Sequence, residues 1–346
     1  MKALVYREPQ EMIVADVDLP RIQEETDAIV RMVKTTICGT DLHILNGDTP
    51  EVEADTVLGH EGIGVVEKIG SAVSNFRVGD RVIISCVTAC GHCTYCQEGM
   101  YAHCENGGWI LGHEIDGTQS EFVRIPQADH SLYLIPEGMS DDAAVMMSDI
   151  FPTGFEIGVL NGRVKKGDTV AIIGAGPIGM ATLLTAQFYS PAKVIMVDLD
   201  DYRLGIARDF GATDTINAGD METAIEKIYQ LTNGKGVDVA IEAAGFPATF
   251  DFCQKILAVG GHLANEGVHG RPVQFDLDKL WIKNVTVTTG LVSTNSTSRL
   301  IEAVEKQELF PERLVTHHFD FTEIKKAYQI FENASDSQAI KVILSF

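Results

Sequence analysis

The sequence predicts an α/β protein of two domains, one a doubly wound parallel sheet and the other mostly β with a small cysteine-rich lobe. Three observations carry that expectation. An apolar run, Val170-Ala171-Ile172-Ile173, runs into the glycine-rich turn Gly174-Ala175-Gly176-Pro177-Ile178-Gly179 and then into a helical stretch. Before it, short runs of alternating apolar and polar residues are separated by turn residues, the pattern of half-buried strands. Within that first part, four cysteines crowd between Cys90 and Cys104.

A chain of 346 residues is long enough for two domains with cores of their own. Its hydrophobic content of 45% is that of a globular protein, and no apolar run reaches membrane-spanning length. The start, Met1-Lys2-Ala3-Leu4-Val5-Tyr6, runs straight into charge. It reads as a first strand rather than a signal peptide, so a cytoplasmic location is expected. Lys and Arg number 27 against 49 Asp and Glu, a formal net charge of -22. That balance excludes nucleic acid, whose phosphates need a basic surface, and leaves a small molecule as the expected partner, with no membrane. Any phosphate-bearing cofactor must find a locally favourable site against this field.

In chain order, strands are expected over Lys2 to Tyr6, Met12 to Asp16, Ala28 to Lys34, Gly62 to Ile69 and Arg81 to Ile84. Turns such as Asp18-Leu19-Pro20 and Val78-Gly79-Asp80 separate them. Two stretches in this part carry metal-ligand chemistry. Cys38-Gly39-Thr40-Asp41-Leu42-His43 offers a thiol, a hydroxyl and an imidazole, and Gly59-His60-Glu61 adds a second imidazole and a carboxylate. Asp149 is a candidate third ligand beside Cys38 and His60, and such a set leaves the fourth position of a zinc ion open.

Cys90, Cys93 and Cys96 stand at two successive Cys-x-x-Cys steps, and Cys104 follows eight positions later. Four thiolates close a tetrahedron, so zinc there would be structural. An iron-sulfur cluster or a redox dithiol uses the same residues, and His92 or His103 is placed to substitute for one ligand. Cys86 and Cys253 have no partner spacing and are assigned to core packing.

Alternation resumes from Ser120 to Leu134, and a helix is expected from Ser140 to Met147 with Ser140-Asp141-Asp142 as its cap and first turn. Its end delivers Asp149, Thr153 and Gly154 to the domain junction. In the second domain Gly174 permits a tight turn, Gly176 lets the backbone approach a pyrophosphate, and Gly179 allows close helix packing, the Rossmann arrangement. The phosphates then meet the helix N-terminus at Pro177 and Ile178. The next strand, Lys193 to Val197, ends at Asp198. That carboxylate is placed to bond ribose hydroxyls and to repel a 2'-phosphate, which favours NAD over NADP. Arg203 is the complicating basic neighbour. Further strands near Val237 to Glu242, Gly261 to Asn265 and Val285 to Thr289 alternate with helices over Met221 to Leu231 and Ala248 to Leu257.

Taken together, Lys34 to His43, Gly59 to Val66, the cysteine lobe and the glycine turn resemble the medium-chain, zinc-dependent alcohol dehydrogenases over essentially the whole chain. The resemblance implies a GroES-like catalytic domain over 1–150 with a structural zinc lobe over 86–108, a Rossmann NAD domain over 151–290, and a return to the catalytic domain over 291–346. It implies interconversion of alcohols and aldehydes or ketones by hydride transfer with NAD. Cys38, His60 and Asp149 would hold catalytic zinc, with Glu61 a nearby carboxylate and Thr40 and His43 relaying the alcohol proton. Cys90, Cys93, Cys96 and Cys104 would hold structural zinc. Thr153, Val268 and Leu291 would line the nicotinamide, Arg203 would accompany NAD use, and Lys341 would contact cofactor phosphate. Many members carry Cys where this chain has Asp149, and Gly39 stands in place of a basic phosphate-contacting residue, which weakens NAD binding.

Threonine dehydrogenases share a similar Ile-Cys-Gly-Thr-Asp-x-His run, and polyol dehydrogenases are a further alternative. Small Thr49 and Ser85, where some relatives have tryptophan, imply room for secondary or bulky alcohols. A zinc-stabilised NAD-binding sensor without catalysis is the alternative of another class, though such a protein needs no proton relay. A homo-oligomer, a tetramer by resemblance, is expected.

Overall fold

Fifteen strands follow the chain in the computed structural model, which describes residues 1–346. They are β1 Lys2–Glu8, β2 Glu11–Asp16, β3 Ala28–Thr36, β4 Gly62–Ile69, β5 Arg81–Ile84, β6 Phe122–Ile125, β7 Leu132–Leu134, β8 Thr169–Ile173, β9 Lys193–Asp198, β10 Asp214–Asn217, β11 Val237–Glu242, β12 Leu257–Asn265, β13 Thr286–Thr289, β14 Val315–Asp320 and β15 Lys341–Ser345. Two units result: Met1–Pro152 with Ser293–Phe346, and Thr153–Val292.

The first unit is built on a mostly antiparallel sheet in the order β14-β15-β3-β4-β5-β7, with β6 paired to β3. The hairpin β1–β2 stands apart from it. Alternation places Ala28, Val30 and Met32 of β3 with Val66, Val82, Ile84, Val123 and Ile125 in one core. Register then does the functional work. Thr35 pairs with Gly62, Gly62 with Ile84, and Thr36 with Ile343. The end of β3, the start of β4, the end of β5 and the start of β15 therefore lie side by side. Cys38, His60 with Glu61, Cys86 and Lys341 all leave the sheet at this one edge. The helix Asp141–Met146, capped by Ser140, whose hydroxyl accepts from the Ala143 amide at 3.2 Å, delivers Asp149.

The second unit is a parallel sheet in the order β10-β9-β8-β11-β12-β13. Strand order reverses between β8 and β11, the place where doubly wound sheets bind ligands at their carboxyl ends. Its core joins Ile173, Ile195, Val197, Ala240, Phe252, Cys253 and Leu263. Helices Asp201–Asp209 and Met221–Leu231 start on the Asp200 and Asp220 carboxylates, which accept amides of their first turns. Two details differ from the sequence expectation. β12 starts at Leu257 rather than Gly261, because a register shift between Val237 and Val239 and a left-handed Gly260 absorb the extra residues. After Ile150–Thr153 the chain continues as a wide-turn π-helix, Gly154–Leu160.

Candidate metal and cofactor sites

At the sheet edge of the first unit, Cys38, His60, Glu61 and Asp149 bring one ligand atom each within 4.8 Å of one another. His60 Nε2 is 3.1 Å from Asp149 Oδ2, and Cys38 Sγ is 4.0 Å from the same oxygen. Ligands of one tetrahedral zinc sit roughly 3.4 to 3.8 Å apart, so the donor set fits the ion. Burial pushes the Cys38 thiol up. Burial alone would lower His60, but its hydrogen bonds to Asp149 and Cys38 outweigh that and hold it well above its usual value. Once the thiol and the imidazole give up their protons to a metal, a thiolate and carboxylates buried this close form an anionic set whose charge a divalent cation would balance.

Around these four groups the fold adds partners that residue spacing does not show. Asp41 is buried and accepts the Cys38 amide at 2.9 Å and the Gln119 side chain at 3.2 Å, with its other oxygen 4.0 Å from His60 Nδ1. Tyr328, fully buried, donates to Gln119 Oε1 at 2.8 Å. Glu61 accepts the Thr36 hydroxyl at 2.6 Å. Cys86, assigned to core packing, lies with its Sγ 3.5 Å from Asp149 Oδ1. Glu61 is among the residues the sequence singled out, but Gln119, Tyr328 and the place of Cys86 beside Asp149 were missed, because a two-residue step after β5, or a helix residue near the C-terminus, carries no local ligand pattern.

Lys341, expected at a cofactor phosphate, is 1% exposed, and its Nζ lies 2.7 Å from the Glu61 carboxylate. Burial pulls its pKa down, but Glu61 outweighs that and leaves it raised. A buried ammonium must be paired, and the register of β15 offers it Glu61.

Thr40 and His43 lie one turn apart on the helix Gly39–Leu45. Thr40 Oγ1 is 3.8 Å from Cys38 Sγ. His43 Nδ1 lies 2.8 Å from Asp48 Oδ2. A carboxylate only accepts, so Nδ1–H donates and Nε2 is left as an acceptor.

The four cysteines of the lobe also gather, their sulfurs within 4.8 Å of one another. Cys90 and Cys96 are 3.9 Å apart, far from a disulfide's roughly 2.05 Å and close to the about 3.8 Å between thiolates on one tetrahedral zinc. The Cys93 amide donates to Cys90 Sγ and the Asn106 amide to Cys104 Sγ, both at 3.4 Å. Burial raises Cys90, but the surrounding amides outweigh it and bring the thiol down to about 6, while burial pushes Cys96 up to about 12. The set fits a closed metal site.

In the second unit the glycine turn has the shape a dinucleotide needs. Gly174 has φ +111°, and a Cβ on Gly179 would lie 1.8 Å from the Gly174 carbonyl. A Cβ on Gly176 would meet nothing within 4 Å, which is the open cradle that a phosphate fills. The helix Pro177–Ala186 starts there with Pro177 and Ile178. Asp198 ends β9, where it accepts the Ala175 amide at 2.6 Å, and Arg203 follows on the next helix. Thr153 precedes the π-helix, Val268 and Leu291 are exposed.

Two family models match: the alcohol dehydrogenase GroES-like domain over residues 24–137 and the zinc-binding dehydrogenase domain over residues 177–306. An alcohol dehydrogenase of Cupriavidus necator is 36% identical over 97% of this chain and 96% of its own. The apo structure of zinc-dependent alcohol dehydrogenase 2 from Streptococcus pneumonia is 61% identical, covers 100% of this chain and 98% of its own, and superposes with a TM-score of 0.96. An Escherichia coli CFT073 alcohol dehydrogenase complexed with NADH is 28% identical, covers 100% and 99%, and has a TM-score of 0.91. Family models over both units and full-length relatives agree with the two donor clusters and the dinucleotide turn: the chain belongs to the medium-chain zinc-dependent alcohol dehydrogenases, oxidoreductases that interconvert alcohols with aldehydes or ketones.

Proposed function

We propose that this enzyme oxidises small, preferentially secondary alcohols with NAD, and reduces the matching carbonyls with NADH, at a zinc held by Cys38, His60 and Asp149. The observation that carries this reading is the convergence of those three donors beside Thr40 at one sheet edge. Zinc bound there supplies Lewis acidity that lowers the pKa of an alcohol hydroxyl or polarises a carbonyl. Thr40 Oγ1 accepts the hydroxyl proton, and His43, oriented by Asp48, passes it toward solvent through Nε2. Glu61, clamped by Lys341 and Thr36, stands beside the ligands as a second carboxylate.

Gly174, Gly176, Pro177, Ile178 and Gly179 receive the pyrophosphate, Asp198 takes the adenosine ribose with Arg203 nearby, and Thr153, Val268 and Leu291 fix the nicotinamide. Asp198 at the end of β9 is what favours NAD over NADP. Ser85, small and buried, bonds Thr294 Oγ1 at 3.0 Å, and with Thr49 supports room for a branched alcohol. A structural zinc sits on Cys90, Cys93, Cys96 and Cys104. None of the seven cysteines forms a disulfide, which suits the reducing cytoplasm. A homo-oligomer goes with the exposed apolar edge of the second unit, where Trp281 and Ile282 are each 67% exposed beside the edge strand β13.

The test is NADH formation by zinc-loaded protein on primary and secondary alcohols, a polyol and L-threonine, each with NAD and with NADP. Turnover is expected with secondary alcohols and NAD. Turnover of L-threonine or the polyol alone would move the substrate assignment to those dehydrogenases, activity confined to ethanol would remove the branched-alcohol reading, and NAD binding without any turnover would make the protein a sensor.

A further inference from the structure

A buried hydroxyl near the end of the chain reaches the metal ligands through two side chains. Tyr328, on the helix Ile324–Glu332, is fully buried, and its hydroxyl lies 2.8 Å from Gln119 Oε1. Gln119 is fully buried as well, and its Nε2 donates to the Thr36 carbonyl at 3.1 Å and to Asp41 Oδ2 at 3.2 Å. A carbonyl only accepts, so the Thr36 carbonyl decides which way the amide points, and Oε1 is left to take the phenol's proton. Burial holds the Tyr328 phenol well above its ordinary value, so that proton is there to give.

Gln119 stands between the two turns that carry Cys38 and His60. On one side it bonds Asp41, whose Oδ2 also accepts the Cys38 amide at 2.9 Å. On the other, its own backbone amide donates to the Leu58 carbonyl at 2.9 Å, and its Cγ lies so close to Gly59 that a Cβ there would meet it at 2.6 Å. Gly59, with φ +93°, leads directly into His60. Asp41 Oδ1 is buried with no hydrogen-bond partner and lies 4.0 Å from His60 Nδ1. With Nε2 turned to a metal the imidazole proton sits on Nδ1, and a carboxylate that takes such a proton fixes the ring.

We propose that Tyr328 and Gln119 are positioning residues of the catalytic zinc, which rests on the zinc site proposed above. The phenol holds the Gln119 amide, the amide holds Asp41 against the Cys38 turn, and Asp41 keeps its open oxygen toward His60. Two ligands from separate turns are thus set by one chain of buried bonds. Without the phenol's hydrogen, Oε1 loses the donor the structure gives it, and turning the amide over would set Oε1 against the Thr36 carbonyl. Gln119 then has no equivalent place to rest, and Asp41 loses its brace.

The zinc dissociation constant of this site, identified as the one that Asp149→Ala empties, tests the role. It is measured by chelator competition on full-length wild type, Tyr328→Phe, Gln119→Met and the double variant. A bond that only supports the fold is equally present with and without zinc, so losing it lowers stability and leaves the constant unchanged. Tyr328→Phe keeps the ring and is expected to weaken zinc binding at this site by about tenfold or more, as loss of a partner behind a metal ligand does. Circular dichroism and the zinc of the cysteine lobe are expected to stay as in wild type. Gln119→Met breaks the same chain at its middle and is expected to weaken binding at least as far, and adding Tyr328→Phe to it is expected to change the constant by less than about twofold. Equal constants for wild type and Tyr328→Phe would overturn the role, and so would a second full loss in the double variant, since the phenol would then act without the amide. Wild type and Asp149→Ala that both hold the lobe zinc alone would overturn the zinc site itself.

Discussion

Lys341 and Glu61 are each almost wholly buried and face one another at 2.7 Å. Removing one partner of such a pair leaves the other charge stranded, at a cost of about 3 to 5 kcal/mol. Lys341→Met is therefore expected to lower the urea unfolding free energy by about that amount, and adding Glu61→Gln to recover most of it. A loss below about 1 kcal/mol in the single variant, the range of a solvated surface pair, would mean that the charge is not buried as described. At this scale the sequence was legible where chemistry demands a residue type. Cys38, His60 and Asp149 stand out because thiol, imidazole and carboxylate in such company suit zinc, and the structure brings their donors together. The pairing of Lys341 with Glu61 was not legible, because only the pairing of β15 with β3, and of β3 with β4, reveals that Lys341 starts a strand beside Glu61. Cys86 escaped for the same reason: its neighbour Asp149 is distant in sequence, and only a helix delivered from elsewhere makes them meet.

The cysteine lobe is an element with almost no core of its own. Its buried cluster is Ala89 and the four cysteines, with Tyr101 packed against it. So small an apolar set cannot hold a loop of that length, and the metal supplies the difference. Cys93→Ser is expected to release one zinc per chain and open the lobe to proteolysis between Cys90 and Cys104, with the zinc on the Cys38 site retained. A protease-resistant lobe in zinc-free Cys93→Ser protein would contradict that dependence. Elements were well announced by periodicity where a strand or helix has one buried face: Gly62–Ile69, Arg81–Ile84, Val237–Glu242 and Met221–Leu231 occur as expected. The π-helix was not announced, since Gly154-Phe155-Glu156-Ile157-Gly158 carries no marker distinguishing a wide turn from an ordinary one. Glu266 shows a further limit. A charged residue after a strand reads as a solvated turn, and only packing against Thr182 and Gly158 turns it into a buried acid.

For the whole molecule, a net charge of -22 keeps copies apart by repulsion, so a stable assembly must use a weakly charged apolar surface. Among exposed large apolar residues, Phe275, Leu277, Trp281, Ile282 and Val287 fall within one short stretch of the second unit. The double variant Trp281→Glu with Ile282→Lys is expected to sediment as a smaller species than wild type with unchanged circular dichroism. Identical sedimentation of the two would remove this surface as a contact, and a wild type that sediments as a monomer would remove the proposed homo-oligomer itself. The two-domain α/β architecture itself was legible, because the glycine turn, the βα alternation and the first part's short strands are independent signals of one answer. The central claim is that Cys38, His60 and Asp149 hold the zinc at which alcohols react, apart from the zinc of the cysteine lobe. Its most direct test is the metal content of Asp149→Ala measured alongside its turnover of a secondary alcohol with NAD. The account predicts that wild type carries two zinc ions per chain, one for each donor cluster, and that the variant keeps one and forms no NADH. A variant that retains both ions and wild-type turnover would contradict it.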